Sequence, residues 1–185
     1  MTLEAVCKDL AKQFQALHDQ LVQDLLWTAT ETKPEDEHSL ATRYIDGITD
    51  LVAEVKDALS ICQALSVAPP NLAQASHGLM ACQDQYNKIA RRLSGDFLSY
   101  QAVAKLRRFG RERGGAWSDW AGQIRKALNR CCRPMDNLSQ AIFHCWQEIA
   151  DRIGMATISV QTHTIGQQIT MARDRGEVGA ADALT

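Results

Sequence analysis

The sequence has 185 residues, of which 45% are hydrophobic and 23% are charged, and its net charge is −2. A chain of this size and composition can bury a core of its own, which excludes the disordered and fibrous classes of protein. No window approaches the roughly 18 consecutive apolar residues of a membrane span, so we expect no contact with a membrane.

The start of the chain and the cysteines both favour a cytoplasmic protein. Glu4, Lys8 and Asp9 interrupt the apolar pattern of the first ten residues, which is not typical of a signal peptide. The cysteines fall within helical stretches rather than in a loop-rich disulfide framework, so we expect reduced thiols. They are Cys7, Cys62, Cys82, Cys131, Cys132 and Cys145.

Charge is distributed unevenly along the chain. Residues 1–90 hold 6 Lys and Arg against 13 Asp and Glu, whereas residues 91–152 hold 12 against 6. Such halves can attract each other within one fold, attract a second copy to form a homodimer, or offer a basic face to another partner. The sequence leaves these three possibilities open.

Four long segments repeat apolar residues every three or four positions, which is the period of an amphipathic α-helix. The first begins after Thr2 and should run to about Ala29, and the second begins at Pro34, which suits a first helical turn. The third begins after Asn71, another N-cap residue, and the fourth follows the Gly114-Gly115 pair. In chain order the apolar stripes are Leu3, Cys7, Leu10, Phe14, Leu17, Leu21 and Leu25; Leu40, Tyr44, Ile48, Leu51, Val55, Leu59, Cys62 and Leu65; Leu72, Leu79, Cys82, Tyr86, Ile89 and Leu93; and Trp117, Trp120, Ile124, Leu128, Cys131, Met135, Leu138, Ile142, Cys145, Ile149 and Ile153.

Two places could interrupt this pattern. Ser-Gly-Asp at 94–96 suits either a kink or a true turn, and helical composition resumes after it until Gly110. Pro134 lies within the fourth stripe, but the spacing of apolar residues stays in phase on both sides of it. A proline that opened an unrelated helix would not preserve this register, so we expect one continuous, kinked helix.

These segments predict an all-α fold, an elongated up-down bundle of four to six helices. We expect the bundle domain to span residues 1–154 and a C-terminal tail to span 155–185. In the tail, Ile158 and Val160 alternate with polar residues, so 155–171 can be a strand that pairs with a partner's sheet or a further helix. The last residues are small and polar and should fray.

A basic cluster precedes the fourth helix. Five cations and one acid give a local charge of +4 within nine residues, and guanidinium groups suit carboxylates and phosphates. The glycines nearby lack the spacing of a phosphate-binding loop. The alternative is a solvated helix end, where cations stabilise the negative end of the helix dipole. The cations of this basic cluster are Lys105, Arg107, Arg108, Arg111 and Arg113.

Trp117 and Trp120 follow the basic cluster directly. Tryptophan is enriched at interaction hot spots, but both residues also continue the fourth apolar stripe, so core packing at the end of the bundle is favoured. Trp27 and Trp146 lie near helix ends and have the same interpretation.

No motif points to catalysis, a metal or a cofactor. Cys131-Cys132 with His144-Cys145 is the densest group of possible ligands, but it has none of the spacings of known zinc motifs. A pair such as Cys132 with His163 would have to be assembled by the fold, since nothing local marks it. We therefore expect a protein that is not an enzyme and binds no metal or cofactor.

The sequence favours a non-catalytic interaction module, an adaptor or a subunit of a larger assembly. Its partner would be another protein, bound by the basic cluster, Trp117, Trp120 and the tail around Ile158 and Val160. The alternative is a helical subunit of a nucleoprotein complex whose basic half contacts the nucleic-acid backbone. This nucleoprotein interpretation ranks below the adaptor interpretation, because the chain as a whole is not basic.

Substitution of Leu51 or Ile142 by Asp tests the predicted stripes. Either change would place an unpaired charge in the core, and we expect the protein to unfold or aggregate, with a loss of at least about 4 kcal/mol of stability. Circular dichroism and size-exclusion chromatography would measure this. A soluble variant with unchanged helicity would contradict the stripe assignment.

Overall fold

The computed structural model describes residues 2–67 and 71–154, and this part of the chain is entirely helical apart from short connections. The predicted all-α fold is confirmed. The elements are α1 (Leu3–Gln20), a first π-helical segment (Leu21–Leu26), α2 (Trp27–Glu31), α3 (Leu40–Val67), α4 (Leu72–Arg92), a second π-helical segment (Leu93–Leu98), α5 (Tyr100–Arg113) and α6 (Gly115–Ile153). The predictions for the tail, including those for Ile158 and Val160, concern residues outside the described part of the chain.

Contacts between the helix ends establish an up-down topology. The Trp120 indole N–H donates to the Ala29 carbonyl at 2.9 Å, and the Cys145 thiol contacts the Val6 carbonyl at 3.3 Å. The start of α6 therefore lies beside the end of α2, and its later turns lie beside the start of α1. The first and last long helices run antiparallel.

α3 and α4 form the second antiparallel pair. Arg92, at the end of α4, donates to Glu54 at 2.9 Å, whereas Gly78, early in α4, lies against Leu65 near the end of α3. Tyr44, early in α3, stacks edge-on against Trp120 with ring centroids 5.5 Å apart. Four long helices thus alternate in direction around one core.

The predicted stripes form that core. Every stripe residue of the first segment is buried, and Leu51 and Ile142 are 0% and 5% exposed. The sequence prediction fails at the end of the last stripe, because Ile153 is 47% exposed. Gly154 follows it in the left-handed conformation and ends the helix, so Ile153 lies at an open end of the bundle.

Pro134 lies inside a continuous helix, as its phase predicts. α6 runs without a break through it, and Met135 remains in the core at 8% exposed. Proline removes one backbone donor, so the Arg130 carbonyl four residues earlier loses its usual partner. The stripe stays buried on both sides of this position, from Cys131 to Leu138.

Two predicted boundaries are wrong. The second helix begins at Leu40 rather than Pro34, because the Asp36 carboxylate accepts hydrogen bonds from the N–H groups of Leu40 and Thr42 at 2.8 and 3.1 Å. Burial alone would raise the pKa of Asp36, but backbone N–H groups in this first turn outweigh it and lower that pKa.

The break near 94–96 also differs from the prediction. Those residues belong to the second π-helical segment, and the chain leaves helical geometry only at Ser99, whose hydroxyl accepts from the Ala102 N–H at 3.1 Å. The predicted N-caps Thr2 and Asn71 are confirmed, since each side chain accepts from a backbone N–H of its first turn.

A thiol crosslink tests the pairing of α3 and α4. Cys62 Sγ and Cys82 Sγ are 3.1 Å apart, so we expect the thiol oxidant diamide to join them in a Cys132→Ser variant, which lacks the exposed thiol. Non-reducing peptide mapping would detect the Cys62–Cys82 peptide, with the buried Cys131 as the control that stays free. A disulfide from Cys62 to any cysteine other than Cys82 would contradict this register.

Candidate docking surface

α5 lies beside the four-helix core and packs mainly against α6 and the second π-helical segment. Gly110 permits this contact, because a β-carbon there would lie 3.1 Å from Ser118 Cα and 3.2 Å from Ala121 Cβ. Gly114 and Gly115 connect the two helices with φ values of 65° and 47°, a region that favours glycine. The glycines that the sequence presents as helix stops thus form a tight α5–α6 hairpin.

The basic cluster occupies the last turns of α5, and all five cations are exposed. Arg108 pairs with Glu112 at 2.7 Å. Lys105 Nζ lies 5.7 Å from the centre of the Phe109 ring, and the Arg113 guanidinium lies 5.0 Å from that of Trp117. Within the described part of the chain, Arg108 is the one member of the cluster that has a carboxylate partner.

The two tryptophans belong to the core, as the stripe favours. Trp120 is 1% exposed and Trp117 is 9% exposed, and their rings pack edge to face with centroids 5.5 Å apart. Trp117 still reaches the surface at one edge, under Arg113. Trp146 is half-buried and donates to Gln83, but Trp27 is 59% exposed, so the core expectation is wrong for Trp27. It follows the buried Leu25 by two positions, which places it on the opposite side of the helix.

A cleft of about 430 Å³ lies next to the basic cluster, between the start of α3, α5 and the start of α6. Aromatic rings form much of its wall, and cationic side chains lie around it. Its lining residues are Leu40, Arg43, Tyr44, Gly95, Asp96, Ser99, Gln101, Ala102, Lys105, Leu106, Phe109, Trp117 and Trp120. Lys105, Trp117 and Trp120 belong both to this cleft and to the surface predicted from the sequence.

Tyr44 is the polar group that distinguishes the cleft. Its ring packs edge-on against Phe97 and Trp120, and burial raises the pKa of its hydroxyl far above the usual value. No described residue forms a hydrogen bond with that hydroxyl. The cleft therefore combines aromatic walls with a neutral hydroxyl that can still donate.

Sequence reasoning missed Arg43, Tyr44 and Phe109 as site residues. Tyr44 belongs to a predicted apolar stripe, whereas no local pattern singles out Arg43 or Phe109. An aromatic residue at the end of a core stripe is the one feature that could have indicated a cleft. The missing information was that the start of α3 lies beside α5.

The possible ligand groups do not converge. Cys131 and Cys145 are buried, whereas Cys132 and His144 are exposed on the other side of α6. Burial raises the pKa of Cys131 to about 12, so this thiol stays protonated at neutral pH. Within 2–67 and 71–154, no group of three or more His, Cys, Asp or Glu could hold a metal ion. His163 lies outside the described residues.

Two further findings concern similarity to other proteins and membrane-spanning helices. It matches no protein-family model, no curated protein and no solved structure. Among the helices described, none has the length and apolar character needed to cross a membrane.

Substitution of Trp120 by Phe tests whether the indole hydrogen bond stabilises this end of the bundle. The change removes the donor to the buried Ala29 carbonyl, so we expect a loss of about 1–3 kcal/mol in the free energy of unfolding. Urea denaturation would measure it, with the exposed Trp27→Phe as the control that changes little. Equal stability of the two variants would contradict a structural role for the indole hydrogen bond.

Proposed function

We propose that this protein is a non-catalytic interaction module that binds an acidic segment of a partner protein through α5. One observation carries the proposal. Lys105, Arg107, Arg111 and Arg113 are exposed cations without a carboxylate partner among the described residues. Guanidinium groups form strong, directional hydrogen bonds with carboxylates, so this surface suits Asp and Glu side chains.

Exposed cations without an ion pair to a described residue also occur elsewhere, as at Lys12 and Lys56, but α5 holds four of them within the nine residues 105–113. In the bundle, Arg130 binds Asp24 through two hydrogen bonds of 2.6 and 2.7 Å, and Arg92 binds Glu54. Those pairs join different helices and use the opposite charges of the two halves within the fold. The basic cluster takes part in no such pair between helices among the residues described, so its charge is available for a partner.

The arrangement of the cations on α5 also suits an extended acidic chain. Arg107 and Arg111 are four residues apart and therefore lie on one side of the helix, one turn from each other. Lys105 and Arg113 are each two positions from one of these arginines, so they lie on the other side of α5, near the two ends of that side and each beside an aromatic ring. Electrostatic attraction would steer the partner, and aromatic contact would slow its release.

Affinity capture with charge-reversed variants tests the proposal. The test variant replaces Arg107, Arg108, Arg111 and Arg113 by Glu, and the matched control replaces Lys12, Lys56, Lys126 and Arg133, which are exposed and distant in sequence from the cluster. Both variants change the net charge equally. We expect both to fold, because exposed cations contribute little to stability, and we expect the test variant alone to lose the partner.

The partner's nature decides between the two sequence interpretations, so half of each sample is treated with nuclease. A defined protein that wild type and control retain after nuclease, with its binding site mapped to an acidic segment, supports the proposal. Release by nuclease would instead favour a phosphate backbone as the partner, and retention by the test variant would remove α5 from the binding surface.

A further inference from the structure

We infer that the cleft beside α5 receives one aromatic side chain of the acidic segment, so that the partner's motif is an aromatic residue flanked by carboxylates. The inference rests on the proposed function and extends it from the charge of the segment to a specific anchor residue.

The size and walls of the cleft favour a single ring. Its volume of about 430 Å³ lies near the lower end of the range of about 300–1,000 Å³ that is typical of ligand sites. Tyr44, Phe109 and Trp117 supply aromatic surfaces on three sides, from α3, α5 and α6. Aromatic rings prefer edge-to-face and offset contacts with one another, and such walls provide both.

The polar groups of the cleft complement a carboxylate or a backbone carbonyl next to that ring. The Tyr44 hydroxyl has no partner among the described residues and can donate to either acceptor. Arg43 and Lys105 also line the cleft, and neither forms an ion pair within the described part of the chain. Asp96 is the acid of the lining, and it lies 3.7 Å from Arg92, which offsets its charge.

Continuity with the basic cluster favours a protein segment over a separate small molecule. Lys105 lines the cleft and begins the cluster, while Trp117 forms a wall of the cleft and contacts Arg113 at the far end of the cluster. An acidic chain that lies along the side of α5 that carries Lys105 and Arg113, with carboxylates on these two cations, would therefore pass the opening of the cleft. Its aromatic side chain can enter there without a change in the chain's direction.

Selection from a phage library of random dodecapeptides provides the probe, since it assumes no sequence. The full chain is the bait, and a strong binder is then synthesised and measured by fluorescence anisotropy. Ala102→Trp fills the cleft from α5, and Gln123→Trp adds the same side chain at an exposed position of α6 outside the lining. Tyr44→Phe removes only the free hydroxyl and keeps the packing of the ring.

We expect the selected peptides to be acidic with one recurrent aromatic position. Ala102→Trp should weaken binding by about tenfold or more, Gln123→Trp should not, and replacement of the peptide's aromatic residue by Ala should cost as much. The two losses should not add, because both remove the same contact. Tyr44→Phe should weaken binding severalfold, and it provides the readout if Ala102→Trp does not fold.

The other outcomes separate the two proposals. Acidic peptides without an aromatic position, or binding that is unchanged in the cleft variants, would overturn the anchor and leave the acidic-segment proposal intact. Peptides that bind the four-arginine reversal as tightly as wild type would overturn both.

Discussion

The Trp120 side chain joins three elements at one end of the bundle. Its N–H donates a hydrogen bond to the Ala29 carbonyl in α2. Its ring packs edge-on against Tyr44 of α3 and against Trp117 of its own helix. Because one large residue satisfies all three contacts, the start of α6 has a fixed position relative to the start of α3. The walls of the cleft depend on this arrangement, since Tyr44 and Trp117 face it from opposite helices.

The charges of the chain fall into two groups. Pairs such as Asp24 with Arg130 join helices of the bundle and neutralise part of the contrast between the acidic and basic halves. α5 packs mainly on α6 and the second π-helical segment, and four of its cations pair with no carboxylate of the described residues. Their exposure follows from the position of the hairpin that Gly110, Gly114 and Gly115 make possible.

Periodicity was sufficient to predict most of the fold. It identified the four long helices, the buried face of each and the continuity through Pro134, because burial of an apolar stripe depends mainly on local spacing. It did not locate the start of α3, where the side chain of Asp36 caps the helix from four residues away. Neither π-helical segment was predicted, since a change in backbone hydrogen bonding leaves little trace in side-chain composition.

The candidate site was only half predictable, for a related reason. A cluster of arginines within nine residues is visible in any sequence, whereas the cleft combines Tyr44 with Phe109 and Trp117 from distant positions. A stripe shows which face of a helix is buried but not which neighbour covers it.

At the end of a bundle this distinction matters most, because there an aromatic stripe residue can be covered by the core on one side and remain open on the other. Tyr44 is such a residue, with its ring held by Phe97 and Trp120 and its hydroxyl without a described partner. Because the ring belongs to the packing of the bundle, removal of the hydroxyl alone tests the proposed binding without a loss of that packing.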